Sequence, residues 1–109
     1  MSNNYRYKID GRGIEMTLVK RRASTKGNVT LLIRYDFNDN CVTIFRIACG
    51  CSTVLFCEKF FILKNIFDEK DYSKIILVDH YMGFVLCYLD RKDILYFYEL
   101  CCAYLKIEL

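Results

Sequence analysis

Apolar and polar residues alternate with a period of two through much of the first half of the chain, and the period lengthens to that of a helix at its end. In residues 14–20, Ile14, Met16 and Leu18 fall on one face and Glu15 and Thr17 on the other, the pattern of a half-buried strand. Residues 29–37 repeat it: Val29, Leu31, Ile33, Tyr35 and Phe37 point one way, and Thr30, Leu32, Arg34 and Asp36 the other. Asn38-Asp39-Asn40 follows as a turn, because Asn and Asp tolerate left-handed backbone. Residues 41–48 return as a third strand, broken by Gly50, and residues 53–57 and 59–63 read as two more short strands. A polar loop over 65–73 (NIFDEKDYS) leads to the apolar runs 74–78 (KIILV) and 83–89 (GFVLCYL), joined through 79–82. About seven strands result, antiparallel by their short connections. Asp90 then stands at the N-cap position of a single helix over 91–109.

The wheel of that helix has more apolar surface than one sheet needs. Ile94, Phe97, Tyr98, Cys101 and Leu105 form the face expected to plug the sheet, and Lys92, Glu99 and Lys106 mark a polar stripe. Tyr96, Leu100, Tyr104 and Ile107 make a second apolar flank. Aromatic anchors beside aliphatic area are the usual material of binding hot spots, so this flank is the first candidate for contact with a partner protein, a peptide or a second copy of the chain.

Residues 20–28 (KRRASTKGN) form a basic, turn-rich connection with no core residue, read as a hairpin loop. Together with the strand count and the closing helix, the run 11–36 (GRGIEMTLVKRRASTKGNVTLLIRYD) resembles the pleckstrin-homology-like superfold, with a rhythm similar to the first hairpin of Ran-binding domains. EVH1 and phosphotyrosine-binding modules share that layout. The resemblance implies a mostly β fold, a seven-stranded antiparallel barrel or sandwich capped by the C-terminal helix; the length suits one domain over residues 1–109, and the polar start predicts that residues 1–10 are loosely held. The resemblance also implies binding by addition of a peptide strand to a sheet edge, or by docking in a sheet–helix groove. Lys20, Arg21, Arg22 and Lys26, with Arg34 on the following strand, occupy the place where similar domains grip phosphoinositides. The rival expectation is therefore an anionic-membrane or acidic-surface binder. A solvated loop is the plainer account of the same residues.

With 109 residues, no Pro, five Gly, 54% hydrophobic and 16% aromatic residues, the chain has the composition of one packed domain rather than of a disordered one. No apolar run approaches the ~20 residues needed to span a bilayer, and the start MSNNYRYKID has no signal-peptide core. These features predict a soluble intracellular protein, cytoplasmic or nuclear. A net charge of +3 is too small to indicate nucleic acid by itself, and no recognition helix or aromatic-basic motif accompanies it.

The seven cysteines are odd in number and lie mostly in apolar runs, so they read as reduced core thiols. Cys49-Gly50-Cys51 is a single C-x-C, without the paired knuckles that mark zinc. His80 is the only histidine and sits at an expected turn, with no nucleophile motif, paired carboxylates or phosphate-cradling loop to make it catalytic. The acidic stretch 67–72 (FDEKDY) reads as a solvated connector. Taken together, the residues lead to a non-catalytic protein-interaction module, an adaptor or complex subunit that needs no metal or cofactor.

Overall fold

Short turns between alternating strands build an antiparallel meander. The computed structural model describes residues 5–21, 27–48, 50–70, 77–81, 84–89 and 91–105. Strands β1 (Tyr5–Ile9), β2 (Gly13–Arg21), β3 (Asn28–Asp36), β4 (Cys41–Ala48) and β5 (Cys51–Lys59) pair in sequence order into one five-stranded sheet. Helix α1 (Phe60–Glu69) follows directly, then a two-stranded hairpin of β6 (Leu77–Tyr81) and β7 (Phe84–Leu89), then helix α2 (Arg91–Leu105).

The register explains which face is buried. Met16 pairs with Ile33 and Ile33 with Ile44, so inward positions line up across three strands. Ile14, Met16, Leu18, Val29, Leu31, Ile33 and Tyr35 are buried as the alternation predicts, Phe37 is half-buried, and Val42 and Ile44 of β4 join the buried set. Both helices cover this inner face: α1 contributes Phe60, Leu63 and Ile66, and α2 contributes Ile94, Phe97, Tyr98, Cys101 and Cys102 to the same core. Tyr98 stacks on both Phe60 and Phe67, at centroid distances of 5.6 and 4.8 Å, which ties the two helices together.

A turn and a close approach lie together at one end of the sheet. Asn40 takes φ 58°, and its N–H donates to Asp36 O at 2.9 Å, so the expected Asn-Asp-Asn turn forms. Gly13 packs so tightly that a Cβ there would lie 2.0 Å from the Tyr35 carbonyl oxygen.

The seven-stranded barrel capped by one helix is not what forms, and the pleckstrin-homology-like likeness goes with it. The main sheet is open, with β1 and β5 at opposite edges, and β6–β7 make a separate sheet. The physical cause lies at residues 59–63, expected as a strand. Phe60, Leu63 and Ile66 recur at helical spacing and are buried together, so the chain leaves the sheet as α1 instead of adding a closing strand. A barrel would need its interior for strand side chains, whereas here two helices fill that side. What stands is a mixed α/β domain with an antiparallel sheet and two helices.

Smaller expectations change too. The N-terminal residues expected to be loose include a paired strand, Tyr5–Ile9. Lys20 and Arg21 belong to β2 rather than to a loop. Phe67, Asp68 and Glu69 of the expected acidic connector are the last turn of α1, where Lys64 and Asp68 form an i,i+4 pair at 2.8 Å. Asp90, Cys49 and positions 106–109 of the expected helix lie outside the described residues.

Candidate interaction site

The edge strand β1 and the neighbouring flank of α2 make a shared apolar strip. Tyr5, Tyr7 and Ile9 pair with Leu18, Met16 and Ile14, which places them on the inner face, while Arg6 and Lys8 point to the outer one. Helix α2 begins near Tyr5, whose ring lies 4.8 Å from that of Tyr96. It ends near Phe37, whose ring lies 5.8 Å from that of Tyr104. Phe37 in turn donates its N–H to Arg12 O beside the β1–β2 turn, at 2.9 Å. The helix thus travels the length of β1. The eight-residue step from Tyr96 to Tyr104 advances ~12 Å and the four-residue step from Tyr5 to Ile9 ~13 Å, so this stretch of α2 matches β1 in length.

Tyr7 is 57% exposed and Tyr104 45%, and Ile9 and Tyr96 are also exposed, so the strip is open along its length. Leu100 is half-buried and packs against the core. Among the described residues, β1 has a strand neighbour on one side only, which leaves its outer edge without a ladder partner.

A buried carboxylate anchors the helix to the strip. Asp93, in the first turn of α2, accepts hydrogen bonds from the Tyr5 hydroxyl at 2.5 Å and from Lys20 Nζ at 2.8 Å. One residue from each of β1, β2 and α2 therefore meets at one end of the site. At the other end, the carboxylate of Asp10 accepts the backbone N–H of Arg12 at 2.8 Å and pairs with Lys8 at 3.5 Å. The Arg12 N–H, chiefly, holds the Asp10 carboxyl below the usual carboxylate range.

The residues expected from the sequence divide between these places. Tyr96, Leu100 and Tyr104 lie at successive four-residue steps of α2, where Tyr96 meets Tyr5 of β1, Leu100 packs against the core and Tyr104 meets Phe37, and Ile107 lies outside the described residues. The basic residues do not gather. Lys20 turns to the inner face and binds Asp93, whereas Arg34 is on the outer face and binds Glu15 Oε2 through Nε and Nη2 at 3.0 and 2.8 Å. Arg21 ends β2, and Arg22 and Lys26 lie outside the described residues. Tyr7 and Ile9 were missed by sequence reasoning, although the alternation in YRYKI over 5–9 carries their signal.

Of the thiols, Cys101 and Cys102 are buried as expected, but Cys51 and Cys57 are exposed on the edge strand β5 and Cys41 is half-buried. Among the described residues, no three His, Cys, Asp or Glu side chains are placed to share a metal ion, and no helix is long and apolar enough to cross a membrane. Comparison with protein-family models, with curated proteins and with solved structures found no match to this chain.

Proposed function

We propose that this chain is a non-catalytic interaction module that takes an extended segment of another protein along the open edge of β1, beside the exposed flank of α2. The observation that supports it most is the pairing of an open strand edge with the exposed strip Tyr7, Ile9, Tyr96 and Tyr104. Main-chain groups of β1 supply generic affinity, and alternate side chains supply choice. On the inner face the incoming strand meets aromatic and aliphatic surface. On the outer face it meets Arg6 and Lys8, both exposed. The preferred ligand is therefore a strand in which apolar and acidic residues alternate, the acidic ones opposite the two cations.

Fluorescence anisotropy with labelled synthetic peptides tests this. A peptide of alternating Val and Glu should bind, and a composition-matched scramble should bind much less. Tyr7→Glu with Tyr104→Glu should weaken binding more than tenfold, since burying each such side chain is worth roughly 1.5–3 kcal/mol. Both positions are exposed, so the fold should survive, unlike changes at the half-buried Leu100. Equal binding of the scramble, or indifference to the double variant, would overturn the proposal.

A further inference from the structure

The outer face of the five-stranded sheet lies opposite the two helices, which pack on the inner one. Four cross-strand rows cross it, the one at the turn end being Gly13, Asp36, Cys41 and Lys59. The register places Thr17, Leu32, Phe45 and Val54 in one row from β2 to β5. A second runs Glu15, Arg34, Thr43, Cys57, and a third Val19, Thr30, Ile47, Ser52. The first row is apolar apart from its Thr, and Val54 is 57% exposed, with Val19 and Ile47 exposed beside it. In the charged row the Glu15–Arg34 pair is neutral, and the Arg34 guanidinium lies 5.8 Å from the centre of the Phe45 ring.

We infer that this face is the interface of a homodimer, in which a second copy stacks its own outer face on it about a two-fold axis running along the strands between β3 and β4. Such an axis keeps each row opposite itself and reverses its order. Leu32 then meets Phe45 of the other copy and Thr17 meets Val54, twice each, giving a continuous apolar centre. In the charged row Glu15 meets Cys57 and Arg34 meets Thr43, so no like charges oppose. In the third row Thr30 meets Ile47 and Val19 meets Ser52. Self-complementarity of this kind points to a second copy rather than to a surface of one charge sign.

The area agrees. Four overlapping strands at ~4.8 Å and nine residues at ~3.3 Å give a footprint on the order of 600 Å² per copy. Two copies reach about 1,200 Å², the lower end of stable specific interfaces. The inference does not rest on the β1–α2 site, whose apolar strip lies at an edge and on the opposite face.

Sedimentation velocity of the full chain in reducing buffer, over a concentration series, tests it. The wild type should show a concentration-dependent dimer. Val54→Lys and Thr17→Glu should each weaken it by tenfold or more, with far-UV circular dichroism showing an intact fold. The double variant Thr17→Glu/Val54→Lys should regain most of the loss. Within one copy these two positions are three strands, ~14 Å, apart and cannot pair, so recovery requires contact between copies. Tyr7→Glu should leave the dimer unchanged. A wild-type monomer throughout the series would overturn the inference and leave the face to a different partner. So would a dimer indifferent to Val54→Lys, a dimer lost on Tyr7→Glu, or a double variant no better than the singles.

Discussion

Replacing Lys20 by Met tests whether the Asp93 cluster holds the last helix against the sheet. Met retains an aliphatic stem of similar length and removes the ammonium, which separates packing from charge. The Asp93 side chain is 5% exposed and that of Lys20 24%, with Nζ 2.8 Å from Oδ2. Removing one partner of a fully buried pair costs about 3–5 kcal/mol. Two features reduce that here. The Tyr5 hydroxyl still donates to the carboxylate, a charge-assisted bond worth ~1.5–3 kcal/mol. Asp93 also sits in the first turn of α2, where the helix dipole contributes ~0.3–1 kcal/mol. The expected loss is therefore ~2–3 kcal/mol, or roughly 1–2 M in the urea midpoint at an ordinary slope. Asp93→Asn should lose less, ~1–2 kcal/mol, because the partly exposed Lys20 ammonium can turn to water. Urea unfolding followed by circular dichroism gives all four corners of the double-mutant cycle. The double variant should be more stable than the sum of the singles by at least ~1 kcal/mol. A Lys20→Met midpoint equal to that of the wild type, or strictly additive singles, would refute the reasoning.

Gly13→Ala should destabilise by at least ~1–3 kcal/mol, since the new Cβ would press on the Tyr35 carbonyl and push β2 from β3; unchanged thermal unfolding would show that the strands separate freely there. Stability should also fall in alkali. Burial, chiefly, raises the Cys101 thiol and the Tyr98 and Tyr35 hydroxyls above their ordinary values of 9.0 and 10.0, so the unfolded chain loses these protons first. The contribution is present below the ordinary thiol and phenol range and is lost as pH climbs through it toward the folded values. Urea midpoints measured from neutral pH to roughly pH 11 should decline across that window, and a flat profile would contradict the burial of these groups.

The sheet was legible where one face is buried and the other is not. Val29 to Tyr35 announced their strand because each inward residue has a polar or half-exposed neighbour on either side. Residues 59–63 carried no such contrast. Phe60-Phe61-Ile62-Leu63 is an unbroken apolar run of residues that favour strands, and only the longer spacing to Ile66 and Phe67 reveals a helix. Read as a strand, that segment leads wrongly to closure into a barrel. The inner face of α2 was readable from its period, because Ile94, Phe97, Tyr98 and Cys101 are all buried. Its partner in the candidate site was not. Tyr7 and Ile9 are edge residues whose exposure depends on the absence of a neighbouring strand, a tertiary fact that five residues of alternation do not contain. The basic cluster misled for a related reason. Lys20 and Arg34 are close in sequence but fall on opposite faces of a sheet, where each already meets a carboxylate.

The two proposed surfaces constrain one another. A two-fold axis between β3 and β4 pairs β2 with β5 of the second copy and leaves β1 overhanging by one strand, because two strands lie beyond β3 on one side and one beyond β4 on the other. Dimerisation therefore keeps both β1 edges open. It sets them about five strand spacings apart across the stack, roughly 25 Å, on opposite sides of the assembly. An axis between β2 and β3 would instead bring Phe45 over β1 and leave Val54 without a counterpart, so the apolar row itself selects the arrangement that spares the edge. The alternation of Arg6 and Lys8 along β1 acts in the same direction. Two β1 edges brought together would oppose cations, which disfavours edge-to-edge self-pairing and reserves that strand for a ligand of opposite charge. The outer face from β2 to β5, with its apolar Leu32–Phe45–Val54 row beside the Glu15–Arg34 pair, suits a second copy; the edge, basic and aromatic, suits a different chain. A dimer built this way presents two equivalent β1 edges at a fixed separation, and a partner carrying two acidic-apolar strands joined by a linker that spans the gap would gain by avidity what each short edge lacks in affinity.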